Sequence, residues 1–136
     1  MSRFNLKINT LKHGWADLSL SISEDTKTLY FENVPFDTIY DILESALRMA
    51  GGIDSAITFY NCSQRDYLTI RKMENHFCQI EIDNSHLDLS IKEYCKAVLR
   101  MFDKFVFEFS IDDYTKNWGG FPKDDLEKLR TKYHAL

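Results

Sequence analysis

Residue types able to bind metal, move protons or attack a carbonyl are scattered along this chain rather than gathered. His13, His76, His86 and His134 have no spacing that would bring two onto one helix face, and none stands at a ligand interval from a cysteine or carboxylate. A metal site is therefore not expected. Cys62, Cys78 and Cys95 are odd in number and widely separated, with no CxxC pair. They read as reduced thiols of a cytosolic protein rather than as a disulfide framework. There is no GxSxG elbow, no phosphate-cradling GxxxxGKS/T loop and no GxGxxG after a strand,. Asp112-Asp113 and Asp124-Asp125 are sequence neighbours whose side chains diverge, and the second pair suits the first turn of a helix, where the dipole favours anions. No catalytic residue, cofactor or metal is expected, and the chain is read as not an enzyme.

Charge and aromaticity are more informative. Asp37, Asp41 and Glu44 fall on one face of a predicted helix, and Lys92, Lys96, Arg100 and Lys104 form an i, i+4 series on another. Like charges at that spacing repel unless something opposite them benefits, although such rows most often simply face water. The most discriminating surface is a sheet face turned away from the helices. Alternation puts Trp15, Tyr30, Tyr60, Tyr67 and Phe77 there, together with Asp17, Glu32, Arg71 and Glu81. Water alone does not select so many rings, and aromatics mixed with charges have the composition of a protein interface. Trp15, Tyr30, Tyr60, Tyr67, Arg71 and Phe77 are the candidate partner surface, with Asp37, Asp41 and Glu44 as the secondary candidate. The competing explanations are cross-strand aromatic pairing and coverage of this face by the C-terminal segment.

The elements that must position these residues form a pattern written twice. Phe4 to Leu11, Trp15 to Ile22 and Lys27 to Asn33 alternate apolar and polar residues, after which Pro35 to Ala50 switches to helical spacing,. Ile57 to Asn61, Tyr67 to Met73 and Phe77 to Asp83 alternate again, followed by a helix from Ser90 to Phe109 opened by a Ser90/Glu93 capping box,. Pro35 is placed at the first helical position, with Phe36, Ile39, Tyr40, Leu43 and Leu47 as the apolar stripe. The second stripe runs Ile91, Tyr94, Cys95, Val98, Phe102, Phe105 and Phe109. A short third helix starts near Pro122 and turns Leu126, Leu129 and Tyr133 inward. This predicts one α+β domain over residues 1–136: an antiparallel sheet of about six strands in a βββα-βββα arrangement, with two long helices and a short C-terminal helix on one face.

Composition limits the partners. The 136 residues are 44% hydrophobic and 28% charged, with a formal net charge of -4. An overall basic footprint for nucleic acid or anionic membrane is missing, and an RNP-like Gly-aromatic signature is missing too. No window has the length and apolarity of a membrane span, and Met1 to Thr10 alternates instead of forming a signal-peptide core. The expectation is a cytoplasmic protein whose partner is neither nucleic acid nor membrane.

Two stretches, His13-Gly14-Trp15-Ala16-Asp17-Leu18 and Tyr114 followed by Trp118-Gly119-Gly120-Phe121-Pro122, Leu126 and Leu129, resemble a group of small uncharacterised bacterial proteins. Those proteins are similar in size and composition to the immunity proteins that accompany bacterial toxins. The resemblance implies a cytosolic α+β domain that inhibits by binding and supplies no catalytic residue. The function expected is that of a non-enzymatic, protein-binding domain of immunity or adaptor type, acting through an acidic, aromatic-bearing face on another protein, such as a toxin. The rivals are homodimerisation through the open sheet face or an edge strand, and a small-molecule binder or enzyme of unrecognised type with its pocket between sheet and helices.

Overall fold

Period-two alternation builds the first strands. In the computed structural model, which describes residues 3–136, β1 (Phe4–Lys12), β2 (Trp15–Ile22) and β3 (Asp25–Glu32) form an antiparallel meander. Phe4, Leu6 and Ile8 of β1 are buried, and a register shift between Ile8 and Thr10 returns odd-numbered Leu11 to the same inner face. Such a bulge re-aims side chains without ending the ladder. The helix α1 (Thr38–Ala50) leads into a second meander of β4 (Ser55–Asn61), β5 (Gln64–Lys72), β6 (Phe77–Ile82) and β7 (Ser85–Ser90). The chain closes with α2 (Ile91–Glu108), α3 (Ile111–Asn117) and α4 (Lys123–Ala135).

The fold is α+β, but two antiparallel sheets of three and four strands replace the expected single sheet of about six. The reason lies at the edges that face each other. β3 and β4 are spatial neighbours, yet the Thr58 carbonyl of β4 accepts from Thr38 Oγ1 (2.9 Å) and the Tyr30 carbonyl of β3 accepts from Asn61 Nδ2 (2.7 Å). Side-chain donors thus satisfy carbonyls that a ladder would otherwise claim. β3 instead runs across the ends of the second sheet. Tyr30 meets the end of β4, Lys27 meets Asp66 near the start of β5 (3.2 Å) and Asp83 just beyond β6, and Asp25 accepts from Ser85 Oγ at the start of β7 (3.3 Å). From Tyr30 to Asp25 the chain advances about 17 Å, close to the roughly 14 Å spanned by four adjacent strands, so the crossing is near-orthogonal.

Two elements go beyond the expected arrangement. β7 carries only Leu87 and Leu89 as apolar residues, too weak an alternation to separate from a turn, and its last residue, Ser90, doubles as the α2 N-cap, with both halves of the capping box formed. α3 is seven residues long with one buried side chain, Tyr114, and is opened by Ser110 Oγ accepting from the Asp113 N–H (3.0 Å). Helix ends also differ. Pro35 stands before α1 rather than inside it, because Asp37 is the N-cap and accepts from the Tyr40 N–H (3.1 Å). Phe36 therefore precedes the helix and is exposed, as is Phe109 at the far end of α2.

One continuous core lies between the inner sheet faces and the helices. α2 packs on β1 and α1, while α4 packs on both long helices. Two tyrosines in this core differ in their polar ends. The Tyr94 hydroxyl shares a 2.7 Å hydrogen bond with Ser45 Oγ, whereas the Tyr114 hydroxyl, enclosed by the rings of Phe102, Phe105 and Phe121, has no partner among the described residues. Burial pushes the pKa of both phenols up, holding them protonated. A folded-state value above the ordinary one means stability that is complete below about pH 10 and falls as pH rises further.

Tyr94→Phe is expected to destabilise by about 1 kcal/mol, by removing the buried hydrogen bond to Ser45 Oγ, which itself keeps its 2.6 Å bond to the Ile42 carbonyl, while Tyr114→Phe is expected to be neutral or stabilising. Urea denaturation of the two variants checks this; equal losses would show that Tyr114 has a hydrogen-bond partner after all.

Candidate functional site

The two stretches separated by about a hundred residues in sequence, around Gly14 and Trp118, meet in space. The β1–β2 hairpin turns through His13 and Gly14, both at positive φ (51° and 81°), the two-residue geometry that matches strand twist. The Gly14 N–H donates to the Asn117 carbonyl at the end of α3 (2.7 Å), and the Gly14 carbonyl accepts from the Asn33 N–H (2.9 Å). Asn33 Nδ2 then donates to the Trp118 carbonyl (2.8 Å), and the Trp118 indole donates to Asp37 Oδ1, the α1 N-cap (2.8 Å). Trp118 is buried, edge-on to Phe31 at 5.6 Å between ring centroids. Gly14 is required twice over: a Cβ there would lie 2.9 Å from Asn33 Oδ1, at a backbone conformation that disfavours side chains,.

This clamp holds one wall of a cleft of about 450 Å³ at the junction of the two sheets, lined by His13, Gly14, Trp15, Glu32, Asn33, Val34, Pro35 and Tyr60. Trp15 is opposite Glu32 in the β2–β3 ladder, and the Val34–Pro35 peptide, which is cis, follows directly. Tyr60, from β4, is braced by Phe36 edge-on at 6.4 Å and by the Arg65 guanidinium 5.1 Å from its ring centroid. Glu32 is half-buried as a residue, and the Cys62 thiol lies 4.0 Å from each of its carboxylate oxygens at the surface.

The candidate partner surface divides between the two sheets. Trp15 and Tyr30 lie on the first; Tyr60, Tyr67, Arg71 and Phe77 lie on the second. Trp15, Tyr30, Tyr67 and Phe77 are 47, 59, 52 and 43% exposed, and Tyr60 is half-buried. The C-terminal segment does not cover them; it turns Tyr114, Trp118, Leu126 and Leu129 into the core instead. The cleft brings Trp15 and Tyr60 together across the sheet boundary. Phe77 is apart, beside Met73 and Asp88 in another recess.

The acidic row is split by its local partners. Asp37 is committed to the Tyr40 N–H and the Trp118 indole. Asp41 and Glu44 line a second cleft of about 350 Å³ between α1 and β4, with Arg48 and Ser55. Burial first, then Glu44 and Asp37, push the Asp41 carboxyl up from its ordinary range. On α2 the cationic row is exposed throughout: Lys92 lies 5.3 Å from the Tyr133 ring centroid and Lys104 reaches Glu108 at 3.9 Å. Among the described residues no group of three or more His, Cys, Asp or Glu could hold a metal ion, and no helix is long and apolar enough to cross a membrane.

Sequence reading missed Asn33, Val34 and Asn117. The available signal was His13-Gly14 between two alternating runs, which marks a tight hairpin; nothing in the sequence indicates which distant backbone that turn meets. Comparison with protein-family models, curated proteins and solved structures finds no match.

Gly14→Ala is expected to cost about 1–3 kcal/mol, because Asn33 cannot swing aside without breaking its bond to Trp118. A chemical-denaturation midpoint equal to the parent's would show that the clamp is not closed.

Proposed function

We propose that this chain is a non-enzymatic, protein-binding domain of the immunity or adaptor type, acting in the cytosol. Its partner face is the aromatic surface centred on the cleft between the sheets. The observation that carries this reading is the group of large aromatic side chains held outward by rigid strands, with Val34 68% exposed at the cleft rim. Aromatics on strands lose little conformational entropy on binding and supply much of the energy at interface centres. The clamp on Gly14 supports the same reading, since a pre-ordered surface does not have to be ordered again when a partner arrives. The non-enzymatic character rests on the resemblance to immunity proteins and on the make-up of this surface. One observation favours a small-molecule pocket instead: the cleft between α1 and β4, where Asp41 is held in a partly desolvated, acidic setting.

Trp15→Ala combined with Tyr30→Ala is expected to weaken association about thirtyfold or more, at unchanged circular dichroism, whether the partner is a second copy or the co-expressed product of an adjacent toxin-like gene. Calorimetry or sedimentation reads the change. Parental affinity in that variant would remove this face from consideration and leave the α1–β4 cleft as the site.

A further inference from the structure

We infer that the cleft between the sheets receives one cationic side chain, an arginine guanidinium projected from a partner protein; this rests on the proposed partner face and gives it a chemistry. Glu32 lines the cleft with Trp15 and Tyr60 and makes no ion pair among the described residues; its carboxylate oxygens lie 4.0 Å from the Cys62 thiol. An unpaired carboxylate beside aromatic walls offers an incoming cation a charge-assisted hydrogen bond. The walls suit the same ligand. Trp and Tyr faces attract cations through their quadrupoles, and guanidinium does so as a flat, weakly hydrated plate that can also bond a carboxylate through two N–H groups.

The fold itself supplies a precedent, because Tyr60 already has the Arg65 guanidinium over its ring. Arg65 forms no ion pair with Glu32, so the carboxylate is left for an incoming group. Exposed Val34 on the rim offers apolar contact to the chain that carries the arginine. This favours an arginine embedded in a protein surface over a free small cation.

The test uses the full ¹⁵N-labelled chain and its two tryptophan indole N–H signals. Trp15 reports the cleft, and Trp118, buried and bonded to Asp37, serves as the internal reference for an intact fold. N-acetyl-arginine amide is expected to shift the Trp15 signal saturably with millimolar affinity and leave Trp118 still, while the neutral isostere N-acetyl-citrulline amide binds about fivefold or more weakly. Glu32→Gln should weaken the arginine probe about fivefold as well, with Trp118 unmoved. No shift, equal response to both probes, or an undiminished response in Glu32→Gln would overturn the inference. Its failure is separable from that of the partner face. Association that is sensitive to the Trp15 and Tyr30 substitutions but not to Glu32→Gln keeps the face and rejects the arginine, whereas arginine selectivity without any such association rejects the face.

Discussion

The Gly14 amide bonded to the Asn117 carbonyl is the contact on which the arrangement of this molecule turns. It fastens the tip of the first hairpin to the segment that follows the two long helices, so the three-stranded sheet cannot pivot away from the core it covers. Through Asn33 the same hairpin reaches the Trp118 carbonyl, and through the Trp118 indole it reaches the N-cap of α1. Trp118 is buried, so its carbonyl and indole N–H would otherwise be polar atoms lost from water at the margin of an apolar core, where an unmade hydrogen bond costs about 1–3 kcal/mol,. The chain of bonds therefore orders an otherwise irregular corner, and Trp15, the next residue after Gly14, inherits that order.

The opposite end of β3 is held electrostatically. Asp66 is buried on the inner face of β5 and is approached by Lys27 and by Gln64 Nε2 at 2.8 Å. Lys27 also pairs with Asp83, and that hydrogen bond is the main reason the pKa of its ammonium group is raised. Removing one member of such a set leaves the buried partner uncompensated, so the cluster fixes position more than it adds stability. With Asn61 holding the Tyr30 carbonyl farther along, β3 is tied at both ends across the second sheet. The two sheets meet as a rigid corner, and the cleft is the concave side of that corner near Glu32.

How much of this was legible in the sequence follows from the range of the interactions. β2 and the capping box of α2 depend on local alternation and on a three-residue spacing, and both were read directly from the residues. The outward direction of Trp15, Tyr30, Tyr67 and Phe77 follows from the same period-two rule. The division into two sheets was not legible, because it depends on Thr38 and Asn61 donating to carbonyls of strands that have no local signal for it. The cleft was half-legible: Trp15, Tyr60 and Glu32 were singled out for their faces, but their convergence needs the orthogonal crossing. Asn33 and Asn117 were invisible as site residues, since an asparagine near a turn has an adequate local explanation and its true partner is far away in the chain.

The clamp around Gly14 pre-orders the corner that carries the cleft. Native-state hydrogen exchange at the Gly14 amide and the Trp118 indole N–H reads that order site by site. Both are expected to exchange as slowly as the most protected amides of β2 and α2, through global unfolding alone. Exchange at both sites on the time scale of an open loop, with β2 and α2 still protected, would contradict it.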